Sequence, residues 1–405
     1  MNLIEKSYCR AYQSAFHAAM PVLPYREPKI MNSVQKIAPM LNCKGIKNVL
    51  LVTDKGVRNA GLTKSLEADL EKRGIGCHVY DGTSANPSVD NVESARHIYI
   101  NKNCECIVAF GGGSAIDCAK AAGARIARPE KSLEQMKGIL KVMKRIPPFI
   151  AVPTTAGTGS EATLSAVITD KHLRHKYVIN DFSLIPDIAV LDPTVTYSLP
   201  PHLTATTGMD ALTHAVEAYI GRSTTEKTRI MALRAVRLIM ENLETAYNEP
   251  ENKVARANML KASFLAGEAF SRSYVGYVHA IAHSLGGEYN IPHGLANAVL
   301  LPVVLEDYGE AIYEKLNELS IAAGLALPDD DVVCGANRFI TEIKWLNKKM
   351  NIPQKLTGIK AKDIPKMAAH ADKEANPLYP VPVLMKADEL EKFYYMIGDW
   401  STDEL

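Results

Sequence analysis

Cys106-Ile107-Val108-Ala109-Phe110-Gly111-Gly112-Gly113-Ser114-Ala115-Ile116-Asp117 decides the fold. An apolar run of strand length enters three glycines, and helical spacing follows through Ala122. Glycines let a backbone approach a diphosphate, and a helix N-terminus offers free N–H groups and positive dipole. Ser114 and Asp117 read as an N-cap arrangement. The dinucleotide fingerprint is incomplete: Gly111-x-Gly113 is present, but Ile116 holds the third glycine position. No acidic residue ends a strand about 20 residues later. By itself the run reads equally as a tight strand–helix turn.

The same alternation continues on both sides. Strand patterns at 48–53, 77–80, 149–152 and 188–191 are interleaved with helical patterns at 62–73, stopped by Gly74, and 89–102. This predicts an α/β unit with a parallel sheet covered by helices on both faces. The first 30 or so residues suggest an arm or an edge strand. Cys104 and Cys106 are expected on one side of a strand, as buried small hydrophobes. Past Leu199-Pro200-Pro201 the texture becomes helical, with candidate helices at 204–221, 227–247, 253–271, 275–286, 294–306, 309–323 and 330–350 and shorter ones after 362. The expected division is an α/β dinucleotide-binding domain over 1–197 and an all-helical metal-binding domain over 198–405.

Composition narrows the function. The 405 residues carry 46 Lys+Arg against 45 Asp+Glu, so no basic surface argues for nucleic acid. No apolar run approaches the ~18–20 residues that span a bilayer. The N-terminus, Met1-Asn2-Leu3-Ile4-Glu5-Lys6, has no signal-peptide pattern. Seven cysteines without framework spacing suit a reducing, cytoplasmic compartment.

Two further loops follow strands. Asp54 stands directly after Val52-Thr53, either as a helix cap or as a ribose partner that repels a 2′-phosphate and selects NAD over NADP. Pro153-Thr154-Thr155-Ala156-Gly157-Thr158-Gly159-Ser160-Glu161 offers hydroxyls for phosphate or carboxamide, or is a turn rich in caps.

The second half of the chain carries a metal pattern. Gly208-Met209-Asp210-Ala211-Leu212-Thr213-His214 sets Asp210 and His214 four apart. His279 and His283 repeat that spacing, and His293 follows Pro292. An i, i+4 pair shares a helix face with Cβ atoms roughly 5–6 Å apart. One carboxylate with several imidazoles suits Fe²⁺ or Zn²⁺. Five residues compete for about four places, and spacing does not say which histidine is left out.

These blocks resemble the iron-dependent (group III) alcohol dehydrogenases, from about residue 30 to the C-terminus, through Val52-Thr53-Asp54-Lys55, Asn86-Pro87, 111–117, 153–161, 208–219 and 279–297. The resemblance implies metal ligation by Asp210, His214, His279 and His293. It leaves His283 unligated, beside nicotinamide and substrate. It implies cofactor contacts from Asp54, Asn86, Gly112, Gly113, Ser114, Asp117, Thr154, Thr155, Thr158 and Lys176. Iron is the expected metal, with zinc used by some relatives, and a homodimer or higher homo-oligomer is expected. Two positions depart from the family: Ser284 stands where many members have proline, and Asn376-Pro377-Leu378 replaces Asn-Pro-Arg.

The expected reaction is hydride transfer between NAD(H) and a small alcohol or aldehyde, with metal polarising the oxygen and His283 relaying a proton. The alternatives are a non-redox, NAD- and metal-dependent lyase of the dehydroquinate-synthase-like fold, and a non-catalytic sensor. The lyase would need basic residues around the histidines for an anionic substrate, and these are not clustered there.

Overall fold

The computed structural model describes residues 1–170 and 175–400, apart from the side chains of Pro21, Asp170, His175 and Lys176. The chain forms two compact units, Pro24–Leu199 and Pro200–Leu405 joined by Met1–Leu23.

The first unit is built on six strands in the order Lys29–Met31, Ile188–Val190, Phe149–Pro153, Cys106–Gly111, Asn48–Val52, Gly76–Tyr80. Every ladder is parallel, with Val49 opposite Cys106 and Gly111 opposite Pro153. Parallel neighbours need long crossovers, here supplied by helices such as Lys64–Lys72, Val89–Asn101 and Gly113–Ala127. Alternate side chains serve opposite faces. Leu50, Val52, Ile107, Ala109, Phe149 and Ala151 pack with Val92, Ala95, Ile116 and Ala119. Val49, Leu51, Val108, Phe110, Ile150 and Val152 pack with Ile37, Leu41, Leu66 and Leu70. With both faces covered, these strands are apolar throughout rather than alternating.

From Asn48–Val52 the chain steps outward to Gly76–Tyr80, then returns to Cys106–Gly111 on the other side. Strand order therefore reverses between Asn48–Val52 and Cys106–Gly111. In open α/β sheets, ligands bind beyond the carboxyl ends of strands at such a reversal.

Three expectations need correction. Cys104 and Cys106 face opposite sides: Cys104 lies just past a turn and outside the strand, its N–H bonded to Tyr99 O at 2.9 Å, and the strand begins only at Cys106. Each thiol joins a different core cluster. A hairpin of Ser165–Asp170 against His175–Asn180, extended by Gly138–Ile139, was not anticipated. Its Ala166, Ile168 and Ile179 cover the face already occupied by Gly113–Ala127.

The third concerns the N-terminus, where Lys29–Met31 is the sheet's edge strand but Leu3–Ala19 is a helix of the other unit. Arg10 donates to Val381 O and Pro382 O, both at 2.7 Å, and Gln13 Nε2 donates to Tyr379 O at 2.7 Å. The helical unit thus takes in residues that the 1–197 division would exclude.

The second unit contains helices Pro201–Ile220, Glu226–Asn248, Lys253–Ser273, Tyr277–Tyr289, His293–Tyr308, Tyr313–Ala322, Val332–Lys349, Ile364–Ala375 and Ala387–Ile397. Among the described residues no named strand lies in it. Two details position the site. Tyr277–Tyr289 ends at Asn290, left-handed at φ 54°, and His293 already starts the next helix after Pro292. Gly294 has no room for a side chain: a Cβ there would lie 2.4 Å from Thr206 O. That close backbone approach seats His293 beside the helix carrying Asp210.

Candidate metal centre

Three helices build the site. Pro201–Ile220 presents Asp210 and His214 one turn apart, and Glu217 on the next turn of the same face. Tyr277–Tyr289 contributes His279 and His283, and His293–Tyr308 contributes its first residue and Asn297.

Asp210, His214, His279 and His293 each place one ligand atom so that all four lie within 4.8 Å of one another. His293 Nε2 is 3.4 Å and His279 Nε2 4.0 Å from Asp210 Oδ1. Bonds of about 2.1 Å to one ion would set tetrahedral neighbours about 3.4 Å apart, so little contraction is needed. The His214 ring stacks between Phe270, at 4.2 Å, and His279, at 4.4 Å between centroids. The donor chemistry therefore fits a divalent transition metal.

A surrounding shell holds the donors in place. His279 Nδ1 donates to Glu217 Oε2 at 2.6 Å, which leaves Nε2 to face Asp210. Glu217 also accepts the N–H groups of Gly276 and Val278, both at 2.8 Å. Burial pushes its carboxyl up to about 7, against the opposing effect of those bonds. Burial, then the neighbouring His214, His293 and His283, lowers the His279 pKa, favouring the neutral imidazole that binds metals. Asn297 Nδ2 donates to Asp210 Oδ1 at 2.7 Å.

His283 stands outside the four-donor cluster. Its ring stacks on His293 at 5.0 Å, and its Nδ1 lies 2.6 Å from Glu374 Oε1. Glu374 also accepts from Tyr379 Oη at 2.7 Å. Burial pushes the Glu374 carboxyl upward, but His283 and Tyr379 outweigh it and hold the pKa below its usual value. Ser284 is turned away: its hydroxyl bonds Ile281 O at 2.8 Å and Tyr394 Oη at 2.6 Å.

Glu217, Asn297 and Glu374 were missed in the sequence. Glu217 sits three residues after His214 and Asn297 four after His293, so helical spacing could have found both. Glu374 carries no such signal.

In the α/β unit, the loops after the strands close around the glycine turn. A Cβ on Gly113 would lie 2.8 Å from the Thr158 side chain, and one on Gly111 3.3 Å from Asp54 Oδ2. Thr155 is 3.5 Å from a Cβ placed on Gly112. No side chain caps the helix that starts there, so the expected Ser114–Asp117 cap is absent. Ser114 Oγ instead donates to Ala85 O at 2.5 Å, tying in the loop that carries Asn86. Asp117 accepts from Ser160 Oγ at 2.6 Å and Val167 N at 3.0 Å, committing both oxygens inside the unit. Asp54 Oδ1 caps Lys55–Asn59 through Val57 N at 3.0 Å. Thr154 is buried, its N–H on Gly111 O at 3.0 Å. The Lys176 side chain lies outside the described residues. An uncapped helix start, a glycine turn, threonine hydroxyls and a carboxylate at the strand-order reversal fit a dinucleotide.

Metal-assisted oxidoreduction of a small substrate is the class of chemistry these two sets of residues suit. Residues 30–193 match the family described as iron-containing alcohol dehydrogenase, and 204–397 match its C-terminal part. The chain is 38% identical over 391 residues to alcohol dehydrogenase 4 of Schizosaccharomyces pombe, covering 93% of this chain and 90% of that protein. It is 33% identical over 341 residues to the NAD-dependent methanol dehydrogenase of Bacillus methanolicus, covering 84% and 89%. A crystal structure of a 1,3-propanediol oxidoreductase superposes with a TM-score of 0.87 at 37% identity, covering 92% and 98%. The chain belongs to the iron-containing alcohol dehydrogenase family, and its function is that of an alcohol dehydrogenase or aldehyde reductase.

Proposed function

We propose that Asp210, His214, His279 and His293 hold Fe²⁺, with Zn²⁺ as the alternative ion, and that NAD(H) is the redox partner of a small alcohol or aldehyde. The observation carrying this reading is the convergence of those four donor atoms within 4.8 Å. When bound, the ion supplies Lewis acidity towards the substrate oxygen and NAD(H) accepts or supplies the hydride. Asp210 contributes the negative charge of the donor set, Glu217 orients His279, and Asn297 orients Asp210. His283, held outside the set, takes the alcohol proton or returns it.

The Pro24–Leu199 unit binds the nucleotide. Gly112, Gly113, Ser114, Thr154, Thr155 and Thr158 form the phosphate and carboxamide cradle, with Asn86 on its rim. Asp54 faces the adenosine ribose and disfavours a 2′-phosphate. Asp117 serves by holding the Ser160 turn in place. Lys176 remains a cofactor contact suggested by family resemblance.

The enzyme is cytosolic and homo-oligomeric in this reading. All seven cysteines are unpaired, which suits a reducing compartment. No helix among the described residues is long and apolar enough to cross a membrane. The edge strand Lys29–Met31 leaves Ile30 exposed and offers a pairing surface to a second copy.

Elemental analysis of anaerobically purified protein, combined with NADH consumption on a panel of short aldehydes, tests the reading. Turnover should vanish with a chelator and return with Fe²⁺ or Zn²⁺. Undiminished turnover by metal-free protein would refute it.

A further inference from the structure

The helix Gly113–Ala127 is buried along most of its length, largely through small apolar residues: Ala115, Ala119, Ala121, Ala122 and Ala124. Lys120 breaks that pattern. It has no exposure at all, which seals its amino group from any substrate. Burying a polar group is costly unless it is hydrogen-bonded, and an apolar side chain at that position would avoid the cost. Fold stability gives no reason for a lysine there. Its contacts do: Nζ donates to Thr163 O at 2.8 Å, to Thr163 Oγ1 at 2.9 Å and to Ser165 O at 2.9 Å. One turn earlier on the same helix face, Asp117 accepts from Ser160 Oγ at 2.6 Å and from Val167 N at 3.0 Å.

Two side chains of one helix thus grip one short stretch. Asp117 takes its ends, Ser160 and Val167, and Lys120 takes Thr163 and Ser165 between them. The loop entering the stretch presses Thr158 against the start of the same helix, where a Cβ on Gly113 would lie 2.8 Å from that side chain. Burial pulls the Lys120 pKa down to about 8, and Asp117 and Glu161 pull the other way. Protonated, the group has three donors for three acceptors. Neutral, it still has one N–H for each carbonyl, so the tie holds in both states. We propose that Lys120 is a positioning residue for the cofactor: it fixes the 160–165 segment to the glycine helix and so holds the threonine loop against Gly112 and Gly113 before NAD(H) binds.

This inference rests on the reading of 112–114 and 154–158 as the nucleotide cradle. Without Lys120, Asp117 would tie the helix to Ser160 and Val167 only. A loop held in place gives up little further freedom on binding, whereas a loosened one must be ordered by the ligand. The four metal donors belong to the other unit. A loss confined to the nucleotide therefore separates this role from a general loss of structure.

Full-length, Zn²⁺-loaded wild type, Lys120→Met, Thr163→Val, the Lys120→Met/Thr163→Val double variant and Gly113→Ala provide the test, each titrated with NADH and assayed on a short aldehyde. Lys120→Met fills the same space but cannot bond the segment. It should keep its metal and raise the Kd for NADH about tenfold or more. The KM for NADH should rise with kcat nearly unchanged, the pattern of binding lost equally in ground and transition states. Amide hydrogen exchange over 154–165 should quicken in the same variant. Thr163→Val removes one acceptor and should give a smaller shift of the same kind, which keeps the tie testable should Lys120→Met fail to fold. The double variant should bind NADH no more weakly than Lys120→Met, because the bond to Thr163 Oγ1 is already gone. Gly113→Ala drives a methyl into Thr158 and should bind NADH weakly. Wild-type NADH affinity in Gly113→Ala would sink the cradle reading and this proposal together. Weak binding there, beside wild-type affinity and exchange in Thr163→Val or in Lys120→Met, would overturn the role of Lys120 alone. So would a Lys120→Met that loses metal and NADH together.

Discussion

Glu217 Oε2 lies 2.6 Å from His279 Nδ1, although the two residues are 62 positions apart. Two backbone N–H groups, from Gly276 and Val278, complete the carboxylate's bonding from the segment leading into His279. Gly276 leaves room for it, since a Cβ there would sit 2.7 Å from Glu217 Oε1. The imidazole is thereby held before any ion binds, with Nε2 turned towards Asp210.

Glu217→Ala should therefore weaken metal binding by about 10–100-fold, as loss of outer partners of a ligating histidine generally does. Competition with a chromogenic chelator measures it. Unaltered affinity would show that His279 is oriented by packing alone.

His283→Ala should keep its metal and lose about 10²–10⁴ in kcat, because the ring lies outside the four-donor cluster. Metal content and turnover measured on the same preparation check this. A metal-free variant would mean that His283 belongs to the ligand set.

Gly294→Ala should separate the helices that carry Asp210 and His293. The new methyl meets backbone at Thr206, which cannot swing aside as a side chain would. Overpacking of this kind destabilises by about 1–3 kcal/mol. A lowered Tm together with reduced metal retention is expected. Full metal content at wild-type affinity would argue that the close approach is dispensable.

Asp54→Asn separates two roles of one side chain. Asparagine can still cap Val57 N, so stability should change little. Removing the charge should lower the preference for NAD over NADP by about tenfold, equivalent to ~1.4 kcal/mol. The ratio of kcat/KM values for the two cofactors reports it, and an unchanged ratio would leave Asp54 as a cap only.

Glu161 provides a pH signature in the α/β unit. It is buried, with Oε1 lacking a hydrogen-bond partner, and burial pushes its pKa up to about 7 despite nearby Lys120. Its folded pKa is raised, so its stabilising effect is full below the unfolded value of 4.5 and is lost as pH rises through 7. Glu161→Gln lacks this loss. Thermal melts should show the variant gaining on wild type by up to about 3 kcal/mol between pH 4.5 and 7.5, at ~1.4 kcal/mol per pKa unit. A pH-independent difference would refute the assignment.

Much of this was legible along the chain. The apolar strands and their helices are local patterns, and so are the pairs Asp210–His214 and His279–His283. The hairpin at Ser165–Asp170 was not legible, because its strands pair with each other outside the six-stranded sheet and its inward residues pack on a helix, partners that no local pattern names. Asp117 misled for a related reason. Its position three residues after Ser114 suggests a cap, but the helix starts earlier, at Gly113, and the side chain found Ser160 and Val167 across the unit instead.

Sequence alone determined the α/β alternation, the change to helices near Pro200, and the residue types able to grip a metal. Those features depend on periodicity over one or two turns, which any window of the chain exposes. Tertiary packing decided which histidine stands apart, which side of the sheet Cys104 faces, and that Glu374 meets His283 across 91 residues. Such contacts depend on where helices cross and how closely their backbones approach, and no local pattern of residues specifies that.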